Sequence, residues 1–118
     1  SIFESPIVGF HEYLIVFNNN KQKEIKMRTS YLNTTKSLRI EHNPGIDIYY
    51  SYATPVAFHL HSAKVRSDLN GVLTVSKNVW SRTTGKHLTQ IDGGAKHARV
   101  DHDQFEKLFN KAREALYV

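Results

Sequence analysis

The sequence predicts an α+β fold: a small, mostly antiparallel sheet with a long central hairpin, a short helix and a C-terminal amphipathic helix packed on one face. Three observations carry this. Residues 46–61 alternate apolar and polar with a period of two, as a strand does. Asn70–Gly71 is a favoured hairpin turn between two such runs. Phe105, Leu108, Phe109, Ala112 and Leu116 fall at i, i+3, i+4, i+7 and i+11, one apolar stripe of a helix. With 118 residues, of which 40% are hydrophobic, the chain suits a single domain spanning 1–118 with one real core.

In chain order, HEYLIVFN at 11–18 is rich in β formers and reads as a buried strand. NNNKQKE at 18–24 is a polar turn, and EIKMRTSYL alternates weakly, so it pairs back as a hairpin. HNPG at 42–45 breaks the chain. In GIDIYYSYATPVAFHLH, Ile46, Ile48, Tyr50 and Tyr52 share one face. Pro55 interrupts the run, which implies an edge, a bulge or a bend. Beyond it Val56, Phe58 and Leu60 take one face, and Ala57, His59 and His61 the other. GVLTVSKNVW then returns as the second arm of the hairpin around Asn70–Gly71.

A short helix follows from about Arg82 to Ile91, capped by Ser81 or Thr83 and stopped by Gly93–Gly94. The last helix begins at Asp101, where Asp101 and Gln104 resemble a capping box. Its outer face mixes Glu106, Lys107, Lys111, Arg113 and Glu114, an ordinary solvated surface. Tyr31–Ile40 echoes Trp80–Ile91 (an aromatic, Thr-Thr, Lys, Leu, Ile), too loosely to establish a repeat.

Composition excludes several classes. There is no cysteine, hence no disulfide, no thiolate metal site and no Cys nucleophile. No apolar run approaches the ~20 residues of a membrane helix, so no membrane partner is expected. SIFESPIVGF lacks the basic-then-apolar order of a secretory signal. Serine-nucleophile signatures, Gly-rich phosphate loops and paired carboxylates are missing, so a binding protein without cofactor is favoured over an enzyme.

The net charge is +5, and the middle of the chain holds the excess. Residues 51–100 contain seven basic side chains (Lys64, Arg66, Lys77, Arg82, Lys86, Lys96, Arg99) against two acids, Asp68 and Asp92. Such a field attracts polyanions. Within it, Arg82, Lys86 and His87 crowd the start of the short helix, whose dipole favours carboxylates instead. An anion bound there, on free N–H groups beside Thr83 and Thr84, would make that crowding favourable. The phosphate-binding candidates are therefore Arg82, Thr83, Thr84, Lys86 and His87, supported by Lys64, Arg66, Lys77, Lys96 and Arg99. Tyr49, Tyr50 and Tyr52 adjoin this block and could stack on bases.

His59-Leu60-His61 places two imidazoles on one side of a strand, a possible metal pair. It resembles the metal motif of rolling-circle replication endonucleases and relaxases. No third acidic ligand is evident, and the only later tyrosine is Tyr117. Lys96–Asp103 also gathers His and Asp, but reads as a basic loop entering a capped helix.

Ser51, Tyr52, Thr54, Val56 and Ala57, then Trp80, Ser81, Thr83, Thr84, Lys86 and His87, give the pattern Ser-Tyr-x-Thr-x-Val-Ala … Trp-Ser-x-Thr-Thr-x-Lys-His. It resembles a group of small, largely uncharacterised bacteriophage and archaeal-virus proteins over about residues 49–91. Gly85 stands where a small polar residue is more usual. The resemblance implies a viral accessory protein in the cytoplasm of an infected host cell and supplies no activity. Three functions follow as expectations: binding of nucleic acid; inhibition of a host defence or polymerase protein, or sequestration of a nucleotide signal; and a metal-dependent nuclease using His59 and His61.

Overall fold

The computed structural model describes residues 8–18, 21–63, 65 and 67–116, with side chains from Arg28 onward. Among the described residues six strands form one antiparallel sheet in sequence order: β1 (Val8–Asn18), β2 (Lys21–Tyr31), β3 (Leu38–Asn43), β4 (Ile46–Ser51), β5 (Thr54–Leu60) and β6 (Leu73–Val75). Two α-helices follow, α1 (Arg82–Asp92) and α2 (His102–Leu116), with a single 3₁₀ turn, Lys96–Ala98, between them. The α+β class and the antiparallel sheet agree with the sequence reading.

Alternation along β4 and β5 sends two sets of side chains to opposite faces of the sheet. Ile48 lies opposite Phe58, and Ile46 opposite Leu60. These four pack with Phe105, Phe109 and Ala112 of α2, so the expected α2 stripe is the buried one. The other face carries Ala57 opposite Val75, and there Leu88 of α1 completes a second cluster with Val56; the sequence places Val56 with Phe58 and Leu60, but the register shift that leaves it unpaired between Pro55 and Ala57 puts it with Ala57 instead. The short helix therefore covers the face away from α2, and the sheet is sandwiched between the helices. Leu88, Phe58 and Leu60 are fully buried.

Two local expectations need correction. The run through Pro55 is not one interrupted strand. It is a hairpin, β4–β5, turning at Tyr52–Ala53, with Tyr52 at φ 56° and a register shift between Tyr49 and Tyr50. Tyr52 is thus 58% exposed and does not continue the Ile46–Ile48 face. Nor is Asn70–Gly71 a two-residue turn. β5 and β6 do pair, but the loop between them is longer, and Asn70 ties it together. The Ser62 N–H donates to Asn70 Oδ1 (3.0 Å), while Asn70 Nδ2 donates to the carbonyls of Ser62 (2.8 Å) and Val65 (3.3 Å). An Asx side chain that can satisfy loop backbone serves a loop as well as a tight turn.

The Tyr31–Ile40 echo of the α1 corner is turn and β3, not helix. Asp101 precedes α2, where its carboxylate meets Lys77 Nζ at 2.9 Å.

Candidate functional site: a basic cleft beside α1

α1 starts where the sequence places it. Ser81 is extended (φ −137°, ψ 169°) and accepts the Thr84 N–H on its Oγ at 3.2 Å, while Gly93 ends the helix in the left-handed region. The residues of α1 then divide by the 3.6 period. Thr84, His87, Leu88 and Ile91 point at the sheet; Thr84, His87 and Leu88 are buried and Ile91 partly so. Arg82, Gly85, Lys86 and Thr89 line the opposite side.

The inner side is a polar network. Ser51 Oγ lies 2.6 Å from His87 Nδ1 and 3.0 Å from Thr84 Oγ1. His87 Nε2 faces Ser37 Oγ at 3.2 Å and Asn33 Nδ2 at 3.4 Å. The Leu38 N–H donates to Asn33 Oδ1, which fixes the amide so that its NH₂ points to His87. Nε2 must then be the acceptor, and Nδ1 carries the proton to Ser51. Burial pushes the His87 pKa below its ordinary value, and an added proton on Nε2 would also confront the Asn33 donor.

These contacts correct the helix N-terminus reading. Thr84 and His87 are 5% and 4% exposed, held inside the fold, so neither can touch a ligand. The Thr84 amide is occupied by its own cap. Thr83 is exposed but does not line the cleft.

The cations do converge, on the outer side. An open cleft of about 660 Å³ is lined by Lys77 and Asn78 from the β6–α1 connection, by Arg82, Gly85, Lys86 and Thr89, and by Lys96 and Arg99 after α1. Five of the basic residues singled out from sequence therefore share one cleft, and no carboxylate among the described residues lines it. They are not equivalent. Arg99 makes a buried two-pronged pair with Asp92: Nε to Oδ2 at 2.7 Å and Nη2 to Oδ1 at 2.9 Å. The bond from Arg99 holds the Asp92 carboxyl below its ordinary pKa, helped by the Gly94 N–H, and in return raises Arg99. Arg99 thus builds the cleft floor. Lys77 shares an exposed pair with Asp101, the kind that contributes little. Among the described residues Arg82, Lys86 and Lys96 have no ion-pair partner.

Two further candidates, Lys64 and Arg66, lie outside the described residues. Sequence reasoning missed Asn78 and Thr89 as cleft lining. It also missed Ser51, Asn33 and Ser37 as partners of His87. The tyrosines are elsewhere: Arg39 stacks on Tyr50 at 4.1 Å, and Tyr52 tilts over His87 at 5.6 Å.

His59 in β5 and His61, one residue past its end, have ring centroids 5.7 Å apart. An acid does lie nearby: Asp47 Oδ1 is 3.3 Å from His61 Nε2 and 3.1 Å from His42 Nδ1. Burial raises the Asp47 pKa, but bonds and charge from both histidines bring it below its ordinary value. Even so, no three His, Cys, Asp or Glu among the described residues converge closely enough to hold a metal. Tyr117 lies outside the described residues. No helix among the described residues is long and apolar enough to cross a membrane.

A family model described as a family of unknown function (DUF8033) matches residues 16–107. The chain belongs to that family. The DUF8033 match takes in β2 to β6, α1 and every lining residue of the cleft. No curated protein and no solved structure matches the chain.

Proposed function

We propose that this protein binds a phosphate-rich polyanion, most readily nucleic acid, in the cleft beside α1. The observation that carries the reading is the convergence of Lys77, Arg82, Lys86 and Lys96, beside the Asp92-paired Arg99, around one opening that no carboxylate among the described residues lines. Arg82 and Lys86 are one helical turn apart on one side, and Lys96 reaches in from the segment after the helix. Asn78 gives one Nδ2 hydrogen to Ser81 O and keeps a second, a neutral donor suited to phosphate oxygens, while the Thr89 hydroxyl donates to Gly85 O. Recognition is electrostatic and backbone-directed, because no aromatic side chain among the described residues lines the cleft to stack on bases. His59 and His61 play no part in this reading, which is of a binding protein and not a nuclease. The resemblance to bacteriophage and archaeal-virus proteins adds the setting: an accessory protein in the cytoplasm of an infected cell. Several residues that carry that resemblance, Ser51, Thr84 and His87, build the buried network, so they speak for a shared corner of the fold.

The test is anisotropy of labelled single- and double-stranded oligonucleotides between about 50 and 200 mM salt. With three or four cations engaged, log K falls against log salt with a slope of about −2.7 to −3.6 on duplex and about −2 to −3 on single strands. A salt-independent affinity, or no binding at the lowest salt, removes the proposal. A pull-down from nuclease-treated host lysate that still retains a protein with an acidic surface would transfer the same cleft to the inhibitor reading. Titration with a cyclic nucleotide by calorimetry tests the signal-sequestering version.

A further inference from the structure

The two edges of the sheet are finished differently. β6 has three residues, and the chain after α1 closes its outer side: the Val100 N–H donates to Val75 O (2.9 Å) and the Lys77 N–H to Val100 O (2.7 Å). β1 has eleven residues and, among the described residues, pairs only with β2. Most of that pairing stands away from the sheet. β3 meets β2 only from Arg28 to Tyr31, whereas β1 and β2 continue through seven more pairs, from Glu12 opposite Met27 to Asn18 opposite Lys21. At roughly 3.3 Å per residue this two-stranded ribbon extends about 23 Å. The molecule is correspondingly long, 49 Å against 32 and 22 Å. A two-stranded ribbon is marginally stable alone.

Proteins blunt a long open edge with lysine, proline or a bulge. Val8–Asn18 contains no Lys, Arg or Pro, and its one acid is Glu12. The ribbon's cations, Lys21, Lys23 and Lys26, are all on β2, the inner strand. β1 pairs with β2 in continuous register, without a bulge. The edge is therefore unsuited to a polyanion, and the strand's own pattern identifies what fits it. Tyr13-Leu14-Ile15-Val16-Phe17 is symmetric about Ile15 in character: aromatic, aliphatic, aliphatic, aliphatic, aromatic. Laid antiparallel on a copy of itself, it sets Ile15 opposite Ile15, Leu14 opposite Val16, Tyr13 opposite Phe17 and Glu12 opposite Asn18. Aromatic and β-branched cross-strand pairs of this kind stabilise sheets. No like charges meet.

We propose that β1 pairs antiparallel with β1 of a second copy about a two-fold axis at Ile15, joining two six-stranded sheets into one. Such a contact is self-complementary and closes at a dimer. It also gives the ribbon a third and fourth strand.

The unaltered protein tests the first half. Sedimentation up to about 100 µM protomer reads the dimer directly, since self-association depends on protomer concentration. The absence of cysteine makes the second half clean. Under mild oxidation Ile15→Cys should cross-link to itself. Leu14→Cys and Val16→Cys should cross-link to each other when mixed, and much less alone. A chain that stays monomeric throughout overturns the proposal, as does a dimer in which no β1 cysteine cross-links.

Discussion

One helix presents two kinds of polar surface, and they do opposite work. On the inner side of α1, Thr84 and His87 are buried and meet Ser51, while His87 also meets Ser37 and Asn33. On the outer side Arg82, Lys86 and Thr89 line an open cleft and meet no carboxylate among the described residues. Thr-Thr-Gly-Lys-His at 83–87 interleaves the two, so chemistry read along the chain mixes residues that share no surface. The inner groups resist change because removing any one strands buried partners. The outer groups can be replaced at little cost to folding, and that freedom is what a binding surface requires.

The sharpest way to break the comparison is to damage the inner side without touching the cleft. Leu88→Ala removes a fully buried side chain beside Val56, Ala57 and Val75, and should cost about 2–5 kcal/mol. Denaturant unfolding measures it. Oligonucleotide affinity of the remaining folded protein should not change. If binding falls in proportion with the fold intact, the two sides are coupled and the separation is wrong.

His87 gives a smaller effect with a pH signature. Its pKa is below the ordinary value when folded, so the neutral ring is the form the fold holds. Below about 6.5 the unfolded chain takes up a proton that the folded chain does not. Stability from this group is complete above that pH. It declines as pH falls, until the folded value is reached. His87→Ala should lower stability by about 1–3 kcal/mol for each hydroxyl left unsatisfied, and should flatten that acid limb. Thermal melts from pH 7.5 to 5 read both. A limb that persists unchanged in the variant would show that His87 is not its source.

Why was one side of α1 legible and the other not? The Ser81 cap, the Gly93 stop and the α2 stripe follow from local rules and lie where those rules put them. The cluster of cations was visible as charge, and the cleft it lines was not. Once Leu88 is fixed as inward, Thr84, His87 and Ile91 follow at i−4, i−1 and i+3, so their burial was within reach of a helical wheel. Their partners were not, because Asn33, Ser37 and Ser51 arrive from two other turns and strands. The β4–β5 turn was hidden for a different reason. Tyr52 takes a left-handed backbone that glycine or asparagine usually supplies, so no turn residue marks it.

On the outer side, Lys86→Ala should leave stability within about 0.5 kcal/mol. Its signature is in binding: one phosphate contact fewer lowers the salt slope by about one unit. Thr83→Ala, exposed on the same turn but off the cleft, should leave the slope unchanged. Equal effects from both would return the site to the helix N-terminus.

An effect made of two opposed contributions sits between the two sides, at Gly85. A Cβ there would meet Asn78 Nδ2 at 3.0 Å, closer than ordinary side-chain contacts. Asn78 uses that amide to donate to Ser81 O (2.9 Å), and its Oδ1 accepts the Trp80 N–H (3.0 Å), so it braces the entry to α1. Gly85→Ala gains about 1 kcal/mol of helix propensity and risks two hydrogen bonds worth about 0.5–1.5 kcal/mol each. The net is therefore a destabilisation of about 0–2 kcal/mol, because two bonds match or outweigh one propensity gain. The cycle with Asn78→Ala isolates the cause. In that background nothing opposes the new methyl, and Gly85→Ala should stabilise by about 1 kcal/mol. If the substitution has the same sign in both backgrounds, Asn78 is not the brace, and the helix entry is held by the Ser81 cap alone.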